Sequence, residues 1–157
     1  MKEIYLAGGC FWGMQAYFDK KPGIIKSEVG YANGYTKHTN YDEVCSGITN
    51  HAETIHITFD EDIITLDQIL DLFWKIVDPT SLNKQGGDKG TQYRTGIFYI
   101  NNNDLIILQN SLEKEQALHT KKIVTEVLPL TNFTRAEEYH QKYLEKNPNG
   151  YCHIKLD

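Results

Sequence analysis

Glu53-Thr54-Ile55-His56-Ile57-Thr58-Phe59 alternates between apolar and polar residues from Thr54 onward. Side chains of a strand point to opposite faces in turn, so this period predicts a half-buried β-strand with its odd positions inward. Upstream, Ile24 to Tyr31 reads as a second strand. Between the two lies a loop rich in Gly, Asn, Thr and Tyr, with one helical turn near Tyr41–Cys45. Further back, Phe11, Met14 and Phe18 share one face of a helix from about Cys10 to Lys20, stopped by Pro22-Gly23. Residues 2–7 make a first strand, ended by Gly8-Gly9. Downstream, Thr65-Leu66-Asp67-Gln68 has the form of a capping box. It opens a helix through Ile69, Leu70, Phe73 and Val77 that Pro79 ends. A polar loop over 80–94 then leads to a strand from Thr95 to Ile100.

These six elements run β-α-β-β-α-β, the order of the ferredoxin-like split β-α-β unit. That order predicts an α+β two-layer sandwich, with helices on one face of a sheet containing antiparallel strands. Extra C-terminal elements follow: a helix from Asp104 to Lys122, a strand from Ile123 to Leu128, and a last helix to about Lys146 capped by Thr134-Arg135-Ala136-Glu137. Residues 147–157 are dense in turn signals and read as an irregular tail. Repeats and linkers are missing, so 1–157 is expected to form a single domain, and a monomer.

Composition narrows the function. With a net charge of −5, the chain offers no basic stripe for a phosphate backbone, which argues against nucleic acid. The first residues lack a signal-peptide apolar core, and no apolar run reaches membrane-spanning length. A cytoplasmic location, away from membranes, is the expectation. Three cysteines are too few for a disulfide scaffold. In a reducing compartment such thiols are either buried hydrophobes or reagents.

Cys10 follows two glycines at a strand-to-helix turn. Unpaired N–H groups and the positive end of the helix dipole there favour an anion, and such positions lower a thiol pKa from about 8.5 toward neutrality. A nucleophile and a buried structural cysteine both remain open on Cys10 alone. Phe11 and Trp12 beside it form an apolar wall suited to a thioether methyl, or else belong to the helix core. Trp12 lies off the Met14/Phe18 face and fits the core reading less well. Glu53 stands at the inward parity of its strand. There desolvation would keep the carboxyl protonated and able to donate, unless the alternation begins after it and leaves it in solvent. Cys152 sits in the tail, where mobility would suit a thiol that must reach and resolve another. Cys45 reads as structural, with the same resolving role as its alternative.

Several patterns are discounted. Gly86-Gly87-Asp88-Lys89-Gly90 lacks the Gly-Lys-Ser/Thr of a phosphate loop. Glu137-x-x-His140 is half of a di-iron pattern without a second copy and reads as an exposed helix face. The histidines show no metal-ligand spacing.

Taken together, Gly9-Cys10-Phe11-Trp12-Gly13, Gly47-Ile48-Thr49-Asn50-His51-Ala52-Glu53 and Asp88-Lys89-Gly90-Thr91-Gln92-Tyr93-Arg94 resemble the A-type peptide methionine sulfoxide reductases over nearly the whole chain. The resemblance implies Cys10 as catalytic nucleophile and Glu53 as the acid that protonates the sulfoxide oxygen. It implies Tyr41 and Tyr93 as phenols that hydrogen-bond that oxygen, and Phe11, Trp12 and Asp88 as the substrate pocket. Cys152 is implied as the resolving cysteine, thioredoxin as reductant, and the S epimer of methionine sulfoxide, free or in peptides and proteins, as substrate. No metal, flavin or nicotinamide cofactor is implied. Asn50 stands where the family usually has glycine, and asparagine tolerates the left-handed backbone. No cysteine follows Cys152, which implies a two-thiol cycle or one in which Cys45 takes part. Two rival readings remain: a thiol peroxidase, which needs no aromatic methyl pocket, and a non-catalytic module gripping peptides with Tyr-rich loops.

Overall fold

The computed structural model describes residues 1–150 and Ile154. Along the chain it runs β1 (Lys2–Gly8), α1 (Phe11–Asp19), β2 (Ile24–Ala32), α2 (Tyr41–Ser46), β3 (Ala52–Phe59), α3 (Leu66–Ile76), β4 (Lys84–Gln85), β5 (Asp88–Lys89), β6 (Thr95–Tyr99), α4 (Leu105–Gln116), β7 (Glu126–Pro129), β8 (Phe133–Arg135) and α5 (Tyr143–Lys146). Six strands form one sheet in the order β7-β6-β1-β3-β2-β8, and β4-β5 make a separate hairpin. Strands β6-β1-β3-β2 are the fourth, first, third and second of the strands predicted from sequence. They pair antiparallel throughout, as a split β-α-β unit requires. β7 joins parallel to β6.

The alternation read in β3 sets the two faces. Ile55 and Ile57, opposite Leu6 and Ile4 of β1, are fully buried with Phe59 beneath α1 and α3. Phe11, Met14 and Phe18 of α1 and Ile69, Leu70 and Phe73 of α3 complete that layer. Burying such side chains contributes about 1.5–3 kcal/mol each, and this layer is the principal source of stability. The other face carries a smaller cluster, Ala7, Ala32, Ala52 and Phe98, edged by Tyr5 and Phe133. The Thr65 capping box forms as predicted: Thr65 Oγ1 accepts from the Gln68 amide and Gln68 Oε1 from the Thr65 amide.

The C-terminal third departs from the sequence reading. Thr134-Arg135-Ala136-Glu137 does not cap a helix. Phe133–Arg135 instead pairs antiparallel with Gly30–Ala32, and the helix shrinks to Tyr143–Lys146. The reason is tertiary: the edge of β2 presents unpaired backbone groups, and satisfying them outweighs a local cap preference. Gln141 carries the repair further, its side chain accepting from the Val29 amide and donating to the Val29 and Ala136 carbonyls. α4 likewise ends at Gln116 rather than Lys122. The Gln116 side chain bonds the Lys121 carbonyl and the Ile123 amide, turning the chain toward β7.

Candidate active site

β1 delivers the chain to a turn at Gly8-Gly9, after which α1 begins. A Cβ on Gly8 would come within 2.6 Å of the Val77 side chain, so only glycine lets the end of α3 lie this close. Gly9 has φ +87°, a region open to glycine without strain. Cys10 is the N-cap residue of α1 and 7% exposed. Here the expectation of a lowered pKa is corrected. Burial and the neighbouring Glu53 charge raise the Cys10 pKa well above its ordinary value, although the Trp12 and Gly13 amides pull the other way. Desolvation at a closed site exceeds what one helix start can offer, so the resting form is the thiol.

Glu53 is 2% exposed, which settles its parity as inward. It pairs with Tyr31 across β3 and β2, and its Oε1 accepts from the Phe11 amide at 3.2 Å. That amide belongs to the residue after Cys10, so the carboxyl rests against the peptide that carries the thiol. Burial pushes the Glu53 pKa up to about 8; the Phe11 amide draws it down and Asp88 adds to the rise. At neutral pH this is a carboxylic acid with a proton to give.

Tyr41 opens α2 and Tyr93 closes a 3₁₀ turn, Thr91–Tyr93, that follows the β4-β5 hairpin. Both phenols are half-buried, and burial leads in raising both pKa values. Cys10 and Glu53 add to the rise at each, and Asp88 of β5 at Tyr93. Four elements that are distant in sequence thus face one another. Asn50, just ahead of β3, adopts φ +55°, a left-handed conformation that asparagine tolerates better than most residues.

Phe11 is fully buried in the core layer yet also borders the site, its ring centroid 5.7 Å from that of Tyr31. Trp12, partly buried, packs against the edge of that layer. Its indole N–H donates to His140 Nδ1 at 2.9 Å, and its ring stacks on Tyr143 at 3.7 Å and 9°. A groove of about 330 Å³ between α1 and α5 opens on this stacked pair; Cys10 and Glu53 do not line it.

Sequence reasoning missed His140, Tyr143 and Glu137. The exposed helix face predicted for Glu137 and His140 does not exist: His140 is 1% exposed and wedged among Phe11, Trp12 and Tyr41. Burial lowers its pKa against the pull of Glu137, and the neutral ring accepts from Trp12. No local signal could have found it, because its partner Trp12 lies 128 residues upstream. Cys45 is exposed, one helical turn after Tyr41 and in hydrogen-bond contact with its hydroxyl. Cys152 lies outside the described residues. Among those described, no three His, Cys, Asp or Glu side chains cluster so as to hold a metal ion, and no helix is long and apolar enough to cross a membrane.

Residues 2–157 match the family model described as peptide methionine sulfoxide reductase. A curated relative from Clostridium botulinum, named peptide methionine sulfoxide reductase MsrA, is 59% identical over 157 residues, all of both chains. The reduced form of Mxr1 from Saccharomyces cerevisiae superposes with a TM-score of 0.93 at 42% identity, covering 99% of this chain and 91% of that one. Mxr1 in complex with Trx2 aligns with a TM-score of 0.66 at 33% identity, covering 90% and 84%. A buried thiol, a protonated carboxyl and two phenols meet here on a scaffold that these solved structures share over 90% or more of this chain, and the chain belongs to the peptide methionine sulfoxide reductase family.

Proposed function

We propose that this chain, acting as one unit over its length, reduces the S epimer of methionine sulfoxide, free and in proteins, with thioredoxin as the final reductant. The observation that carries the mechanism is the buried, protonated Glu53 resting on the peptide next to Cys10. A sulfoxide sulfur is electrophilic, but its oxygen leaves only with a proton. The Cys10 sulfur bonds to the sulfoxide sulfur while Glu53 transfers its proton to the oxygen, and Tyr41 and Tyr93 donate to that oxygen. The proton released by the Cys10 thiol restores the acid form of Glu53. Collapse yields methionine and Cys10 sulfenic acid, so the substrate sulfur gains two electrons and Cys10 loses two. Phe11 and Trp12 receive the S-methyl group, with Asp88 at the pocket's edge.

Cys152 then attacks the sulfenic sulfur, expelling water and leaving a disulfide. A thioredoxin dithiol reduces it by exchange, and the Mxr1 complex with Trx2 supports that choice. A reductant-driven cycle of this kind suits the cytoplasm. The test is a single turnover on one peptide carrying each sulfoxide epimer separately, read by mass spectrometry. One methionine should form per enzyme from the S epimer alone, and none with Cys10→Ser. Product from the Cys10→Ser protein would exclude the nucleophile.

A further inference from the structure

We propose that Glu137 is a positioning residue for this reaction, clamping the first turn of α2 to the sheet so that the Tyr41 phenol stands at the sulfoxide oxygen. The inference rests on the reading of Tyr41 given above. Both carboxylate oxygens are engaged: Oε1 accepts from the Tyr31 hydroxyl at 2.8 Å and Oε2 from the Tyr41 backbone amide at 3.1 Å. Tyr31 is fully buried on β2 and is the register partner of Glu53. Glu137 therefore ties the backbone carrying the phenol to the strand beside the proton donor.

Helix α2 needs such a tie. It has six residues, of which Val44 alone is buried, so little packing holds it. Its opening amides lack partners within the helix. The Asn40 side chain takes that of Glu43, and Glu137 takes that of Tyr41. The same segment supports the ring itself, His140 lying 4.7 Å from it between centroids. The clamp works as an anion. Burial pushes the Glu137 pKa up, but its own amide, the Tyr31 hydroxyl and the Tyr41 amide together outweigh that and hold it low.

Two substitutions of Glu137, together with Tyr41→Phe alone and combined with Glu137→Met, test the clamp, each protein with its thermal midpoint measured. Glu137→Met matches the length but offers no acceptor. Glu137→Gln keeps one oxygen for the Tyr41 amide and can turn its NH₂ to Tyr31, whose hydroxyl is able to accept. The readout is the single-turnover rate of methionine formation and, separately, the substrate concentration at half-saturation. Displacing a catalytic group by about 1 Å lowers rates by up to about 100-fold, so Glu137→Met should lose about 10- to 100-fold in rate. Half-saturation should stay within about threefold, because the missing interaction acts in the transition state. Glu137→Gln should remain within about threefold of the parent, retaining the amide bond. In a Tyr41→Phe background Glu137→Met should add less than about threefold, since the clamp then has no phenol to position.

Full additivity with Tyr41→Phe, a loss confined to half-saturation, or a Glu137→Gln protein as slow as Glu137→Met would each overturn the clamp. If Glu137→Met does not fold, Glu137→Asp replaces it. It keeps the charge but is too short to span both partners, and an unchanged rate would again overturn the proposal. A Tyr41→Phe protein at full rate is a separate outcome. It removes Tyr41 as a partner of the oxygen, and the clamp's purpose with it, whatever Glu137→Met does.

Discussion

Glu53→Gln should make this protein more stable and much slower. A carboxyl whose pKa rises from 4.5 to about 8 on folding keeps its proton across a pH window in which the unfolded chain has lost it. The folded state then binds more protons than the unfolded one, so stability falls as pH rises through that window. At about 1.4 kcal/mol per pH unit, the loss reaches on the order of 3 kcal/mol at pH 7 and about 5 kcal/mol above pH 8. Glutamine cannot ionise, and its carbonyl can still accept the Phe11 amide that Glu53 holds. Urea unfolding of the two proteins should therefore coincide near pH 4.5 and diverge as pH rises, with the variant ahead. Single-turnover rates should move oppositely. The parent should slow about tenfold per pH unit above about 8, where the acid is lost. The variant should lack that limb and run about 10²–10⁴-fold slower below it. Equal stabilities at pH 5 and pH 8 would refute the claim that Glu53 is buried as an acid. An unchanged rate would remove it as the proton donor even if the stability result held.

Two further outcomes follow from the same site. Cys152→Ser should spare the first turnover but stop thioredoxin-driven cycling, read as NADPH consumption with thioredoxin and its reductase; normal cycling would transfer the resolving role to Cys45. Trp12→Phe strips His140 Nδ1 of its donor, and leaving a buried acceptor unpaired costs about 1–3 kcal/mol. We expect a lower melting temperature and a roughly tenfold higher half-saturating substrate concentration, about 1.4 kcal/mol of binding. An unmoved half-saturation would take Trp12 out of the methyl pocket.

Much of this molecule is written in local patterns. The alternation of Ile55, Ile57 and Phe59, the one-face spacing of Phe11, Met14 and Phe18, and the Thr65–Gln68 box each act over a few residues. Each kept its meaning on folding, because the core agrees with it. The Gly-Cys-Phe-Trp-Gly segment and its two companions were enough to place the chain beside its family. Residues 133–143 are where the reading failed. A cap signal there gave way to strand pairing with β2, and a supposed surface histidine became the acceptor of the Trp12 indole. The protonation of Glu53 was expected from its parity, but that of Cys10 was misread. Glycines before a cysteine suggested a lowered pKa, whereas the closed packing around Cys10 and Glu53 raises both. Sequence by itself determined the first six elements and their order, and it named the candidate groups of the site, since these follow from short-range periodicity and side-chain chemistry. Only the tertiary structure decided which edge Phe133–Arg135 covers, what surrounds His140, and that the Cys10 thiol keeps its proton, because pairing and desolvation depend on neighbours that are far away along the chain.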